Sequence, residues 1–144
     1  MASPTLAPMR ASGTFTVQEF TPAPVPAGEV VTASGVGVAT MRKEFRGELE
    51  GRSDTLFTSA FDHAAGVGTY LAMESFAGAL HGAAGSFNFA HSATTLGTAR
   101  DDEYFVIVPG SGTGALAGIT GTGGIEVDAD GTHRIRLDYE LPSA

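Results

Sequence analysis

The stretch from Tyr70 to His91 most constrains what this chain can fold into, because apolar and small residues alternate at a period of two on both sides of a glycine-bearing break. Tyr70, Ala72, Glu74, Phe76, Gly78 and Leu80 share one face, and Phe87, Phe89 and His91 share a face on the next run. Gly82-Ala-Ala-Gly85 between them supplies the glycines of a tight connection, so the segment reads as a β-hairpin. Apolar face set against apolar face pairs Leu80 with Phe87, Gly78 with Phe89 and Phe76 with His91. Glu74 then lies diagonally beside His91, within reach of a long side chain. The opposite register is rejected: it would place Glu74 with Asn88 and Ser92 and expose Phe87 and Phe89.

Similar alternation recurs along the chain. Residues 1–10 are small and proline-rich and read as a loose leader, with one domain over 11–144. Gly13 to Phe20 alternates as a strand, and the prolines of Thr21-Pro-Ala-Pro-Val-Pro end it. Val30 to Thr40 reads as a curved strand. From Met41 to Gly51, Arg42, Glu44, Arg46, Glu48 and Glu50 point to water, as an edge-protecting surface, while Met41, Phe45, Gly47 and Leu49 point inward. Ser53 to Phe61 is the next strand, and a loop through His63 leads to the organising hairpin. Thr94 to Asp102 is a polar connection and Glu103 to Val108 a well-covered strand. A short strand is expected near Ala115 to Ile119. A last hairpin joins Gly123–Val127 to Thr132–Leu141 through Asp128-Ala-Asp-Gly131. About eight strands spaced by turns predict an all-β fold, an antiparallel barrel or sandwich.

Composition narrows the function. The chain has 144 residues, 20 glycines, no cysteine and a net charge of −8, so disulfides and thiolate metal sites are excluded. The acidic balance speaks against nucleic acid and anionic membrane as partners, since counterion release needs a basic surface. No run approaches the roughly 18 apolar residues of a membrane span, and the N-terminus lacks the apolar stretch of a secretory signal. A cytoplasmic, soluble protein is expected. Phe105-Val-Ile-Val-Pro followed by Gly110-Ser-Gly-Thr-Gly-Ala imitates a dinucleotide-binding loop. Gly118, Gly121, Gly123 and Gly124 deny it the helix that would hold a pyrophosphate, so the glycines read as a barrel corner. No Gly-x-Ser-x-Gly is present, and the four histidines lie in different elements without metal-ligand spacing. No cofactor or metal is called for, and His63 and His81 read as solvated.

Glu74 and His91 stand apart from these, because burial among Phe76, Phe87 and Phe89 would perturb both and make them candidate general acid and base. The other reading is a hydrogen-bonded pair that only fixes strand register. Tyr70, Phe76, Phe87, Phe89, Tyr139 and His133 are candidates to line a ligand cavity, though His133 and Tyr139 would serve equally as plugs of the barrel.

Phe45-x-Gly47-x-Leu49-x-Gly51-x-Ser53, Glu74-x-Phe76-x-Gly78-x-Leu80-x-Gly82, Gly85-Ser-Phe87-x-Phe89-x-His91-Ser92, Val108-Pro-Gly-Ser-Gly-Thr-Gly114-x-Leu116-x-Gly118 and Leu137-Asp-Tyr139-x-Leu141 follow in order. Together they resemble an uncharacterised bacterial domain family with an allene oxide cyclase-like barrel, over nearly all of the chain from Gly13 onward. The resemblance implies an eight-stranded antiparallel barrel with a central cavity. Plant allene oxide cyclases close an unstable fatty-acid epoxide into a cyclopentenone by steering its conformation. Their glutamate and cysteine are not carried over to this chain. The expectation is a cofactor-independent isomerase or cyclase acting on an apolar small molecule, secondary-metabolite or lipid-like. The alternatives are a non-catalytic barrel that binds an apolar ligand and a structural protein with a filled core. A homo-oligomer is compatible with the sequence, which does not fix the oligomeric state.

Overall fold

Alternation along most of the chain leaves each strand with one apolar face, and a sheet closed on itself buries all of these faces together without leaving an edge. The computed structural model, which describes residues 8–26 and 28–142, is such a barrel. Its strands are β1 (Met9–Ala23), β2 (Val36–Gly47), β3 (Leu49–Asp62), β4 (Val67–Leu80), β5 (Ala83–Leu96), β6 (Ala99–Ile107), β7 (Thr120–Val127) and β8 (His133–Glu140). They pair in sequence order, all antiparallel, and β1 closes the ring on β8. Among the described residues no helix is long and apolar enough to cross a membrane.

Several boundaries differ from the sequence reading. The leader lies outside the described residues only as far as residue 7, since Met9 and Arg10 already belong to β1, which runs on to Ala23. The two strands expected between Val30 and Gly51 are one, β2, and the chain turns at Glu48. Its charged outer face guards no edge, because the ring has none. The polar stretch from Thr94 to Asp102 extends β5 and opens β6. In place of a strand near Ala115 there is a 3-10 turn at Gly114–Leu116, which carries Leu116 into the core cluster.

The β4–β5 register is the main correction. His81 and Gly82 both take positive φ, 47° and 80°, and close a two-residue hairpin. Leu80 therefore faces Ala83, Phe76 faces Phe87 and Glu74 faces Phe89. The slip from the expected pairing is an even number of residues, so every side chain keeps its face. Glu74 remains diagonal to His91, now from the other side.

Glycine lets the wall curve where β3, β4 and β5 approach closely. Gly51 faces Gly78, which faces Gly85, and a Cβ on Gly78 would stand 2.0 Å from the carbonyl oxygen of Glu50. The motif spacing Gly47/Gly51 and Gly78/Gly82 thus reflects backbone packing as well as turns. At this end of the barrel Ala11, Phe45, Leu49, Phe76, Leu80, Phe87, Leu116, Ile119, Leu137 and Tyr139 fill the interior. Toward the opposite end the interior carries the buried polar residues Lys43, Glu74 and His91 and leaves a cavity.

Candidate active site

Along β4 the inward residues run Leu80, Gly78, Phe76, Glu74, Ala72, Tyr70, and along β5 Phe87, Phe89, His91. The step from Phe76 to Glu74, and from Phe89 to His91, is where the interior changes from apolar to polar. Glu74 is fully buried. Its Oε2 accepts from Lys43 Nζ at 2.7 Å and from His91 Nε2 at 2.5 Å, and its Oε1 accepts from Ser53 Oγ at 2.7 Å. Burial pushes this carboxyl upward, but the His91 hydrogen bond and the Lys43 charge outweigh it and hold the group at about 2. It is a carboxylate at neutral pH.

His91 is held below its usual range, first by burial, with Lys43 and Arg100 acting in the same direction against the pull of Glu74. Lys43, rather than an imidazolium, therefore supplies the charge that balances Glu74. A neutral His91 that donates from Nε2 to the carboxylate must accept at Nδ1. There it meets the Tyr70 hydroxyl at 2.9 Å. Tyr70 in turn accepts from Arg100 at 2.5 Å, and the Arg100 guanidinium lies over the Tyr70 ring, 5.3 Å from its centroid. Burial raises the Tyr70 hydroxyl above its usual value, although Arg100 opposes the shift. At neutral pH the resting chain is carboxylate, neutral imidazole, phenol and guanidinium.

This chain ends on a cavity of about 170 Å³ at the unfilled end of the barrel. Lys43, Tyr70, His91, Arg100 and His133 line it together with apolar residues that include Phe15, Phe57 and Ile125. Larger depressions lie on the outer surface, the largest lined by opposed charges such as Arg42, Glu44, Arg52 and Asp54. They lack the convergent buried polar groups of a site.

The candidate residues divide accordingly. Tyr70, His91 and His133 stand at the cavity, with the His133 ring 5.0 Å from Phe15. Glu74 sits behind His91. Phe89 stacks on His91 and on Phe105, at 5.8 and 5.1 Å, and so supports the imidazole from below. Phe76 and Phe87 pack on each other in the filled half, and Tyr139 is buried there as well; these three do not border the cavity. His63 lies in a turn against Phe61. His81 is exposed and hydrogen-bonds through Nε2 to the Arg10 carbonyl. Among the described residues no cluster of three or more metal-ligating side chains occurs.

Three functional side chains escape the sequence reading. Lys43 is buried on the inner face of β2, between Met41 and Phe45, Ser53 lies opposite Phe76, and Arg100 enters from β6. The β5–β6 register shifts between Ser92 and Thr94, where Asp102 takes a positive φ of 54°. This bulge lets Arg100 and Glu103 meet on one side, at 3.2 Å. Thr55, directly across from Glu74, has a buried hydroxyl without a hydrogen-bond partner among the described residues. Thr55→Val keeps the shape and removes that cost, so it should stabilise the fold by about 1 kcal/mol, read by denaturant unfolding.

The fold and these side chains define a class: small all-β barrels, closed on themselves, with a buried hydrogen-bonded chain running from a carboxylate to an interior cavity. Residues 11–139 match the family described as "Protein of unknown function (DUF3224)", and the chain belongs to that family. It is similar to the crystal structure of a protein with unknown function from the DUF3224 family from Shewanella oneidensis MR-1. The TM-score is 0.83 and the identity 30%, over 96% of this chain and 100% of that one. No functionally curated protein matches the chain. The bacterial family expected from the five motifs is thereby found, whereas the likeness to allene oxide cyclases rests on those motifs alone.

Proposed function

We propose that the protein is a cofactor-independent isomerase or cyclase that moves a proton on a small, largely apolar substrate in the interior cavity. The observation that carries this reading is the unbroken chain Glu74–His91–Tyr70, anchored on a buried carboxylate and ending at the cavity wall. Tyr70 is its working end. A substrate carbon beside a carbonyl gives its proton to the Tyr70 oxygen while the phenolic proton passes to His91 Nδ1. The resulting imidazolium is stabilised by Glu74. Reversal of the relay at a different carbon completes an isomerisation, and the apolar walls select the reactive conformer. Tyr70 and His91 are the catalytic residues in this scheme. Glu74, Lys43 and Ser53 act through them as positioning residues.

The chemistry is testable before the physiological substrate is known, because the first half of the relay exchanges a carbon-bound proton with solvent. The protein is incubated in D2O with a panel of small cyclic and aryl ketones, and loss of the C–H resonance is followed by NMR. Wild-type protein is expected to accelerate exchange of at least one compound over buffer, and His91→Asn to fall to the buffer rate. Saturable binding with no exchange anywhere in the panel would overturn this reading in favour of the alternative, a barrel that binds an apolar ligand without turnover.

A further inference from the structure

The charged groups that face the cavity are both cations. Lys43 and Arg100 line it from different strands, and among the described residues no carboxylate does. Their counter-ions stand behind them: Glu74 behind Lys43, and Glu103 beside Arg100, where its carboxylate also accepts from the Ile125 backbone N–H. Each pair is thus a dipole with its positive end toward the interior. Both cations also act on His133 from across this space, helping burial to keep it neutral. In a site of low polarity such an arrangement favours a negative group and disfavours a cation.

Arg100 has the geometry to receive one. Its Nε bonds Glu103 and one terminal nitrogen bonds Tyr70. A planar fork held on two sides presents its remaining N–H groups in a fixed direction, which suits a carboxylate better than a point charge would. The volume sets the rest of the ligand. A cavity of about 170 Å³ is comparable to one of ~150 Å³ that holds a benzene ring, and is smaller than the ~300 Å³ at which drug-sized sites begin.

We infer that this cavity is a binding site for small apolar monocarboxylic acids, roughly an aromatic ring or its equivalent bearing one carboxylate, with the carboxylate held by Arg100 beside Tyr70. The inference rests on the proton-transfer reading for the choice of cavity and names the substrate class. It sets the charged end of the ligand beside the Tyr70 oxygen, to which Arg100 is bonded.

The test compares phenylacetate with phenylacetamide, of the same shape but uncharged, by calorimetric titration of the wild-type protein and of Arg100→Gln and Arg100→Lys, each checked for folding by thermal melting. Wild type is expected to bind the acid about tenfold or more tighter than the amide, as one charge-assisted hydrogen bond allows. Arg100→Gln is expected to lose the preference, and Arg100→Lys to keep part of it. Equal affinity for acid and amide, a preference that survives in folded Arg100→Gln, or no saturable binding of either probe would overturn the inference. Because the readout is binding, its outcome is separate from that of deuterium exchange. Acid-selective binding without exchange leaves the carboxylate site standing and removes the isomerase, and exchange of neutral ketones without acid selectivity does the reverse.

Discussion

Lys43→Met will destabilise the barrel by about 3–5 kcal/mol, the cost of leaving a buried charge without its partner. Lys43 and Glu74 have side-chain exposures of only 6% and 1% and are 2.7 Å apart. Methionine fills much of the space of the lysine stem, so the loss reports the stranded carboxylate rather than a cavity. The diagnostic is therefore the pair. Lys43→Met/Glu74→Gln should recover most of the stability in a double-mutant cycle read by urea unfolding, because it removes both charges from the interior. If the double variant is as unstable as Lys43→Met alone, the ion pair is not what the lysine contributes. Acid gives the same result without mutation. Glu74 sits at about 2 in the folded chain against an ordinary 4.5. The stabilisation linked to that difference, about 3 kcal/mol, is present above pH 4.5 and is lost as pH falls toward 2. His91, also lowered, adds in the same direction once the unfolded chain begins to take up its proton below about pH 6.5. Glu74→Gln should flatten the lower part of that profile and leave the upper part.

What could be read from the sequence was what a period of two determines: the all-β class, the strand count, the inward face of the β4–β5 hairpin, and the meeting of Glu74 with His91. The register differs from the expected one, yet the pair is common to both, because both pairings place the two residues on one face and two positions apart across the strands. Lys43 was obscured by its neighbours. In a run that alternates Arg42, Glu44, Arg46 and Glu48, one more charge blends into a wet surface, although its spacing from Met41 and Phe45 puts it inside. A strict count would have found it, at the cost of accepting a lysine in a core, which is rare unless it is paired. Arg100 was not recoverable by counting. The bulge at Asp102 reverses the alternation of β6, and bulges depend on how the neighbouring strand fits, which local sequence does not specify. Tyr139 and His133 share an inward face, but only the latter reaches the cavity. Which end of the barrel is filled depends on the turn that brings Leu116 inward, a tertiary matter.

Tyr70→Phe separates a working proton chain from a merely structural one. The variant removes one oxygen from the end of the chain and leaves Glu74, Lys43, Ser53 and the ring contacts of Tyr70 with Phe57 and His91 in place. Stability should change by no more than about 1 kcal/mol, the net worth of an ordinary hydrogen bond. Exchange of the best ketone in D2O should fall by about 10³-fold, within the range a positioned acid–base group contributes. Glu74→Gln should fall similarly for a different reason. The glutamine oxygen takes the place of Oε2 and still accepts from Lys43 and His91 Nε2, but a neutral amide no longer stabilises the imidazolium that forms when the phenolic proton reaches Nδ1, so the relay is blocked at its middle. The two losses should not add in the double variant, since either break disables the same path. The pH profile supplies the remaining distinction. Exchange through this chain needs neutral His91, whose value is depressed, and protonated Tyr70, whose value is raised. Activity should persist below pH 6.5 and up to about pH 10 in wild type. A residual activity in Tyr70→Phe that keeps the lower limb of this profile and loses the upper one would place the proton transfer at His91 itself.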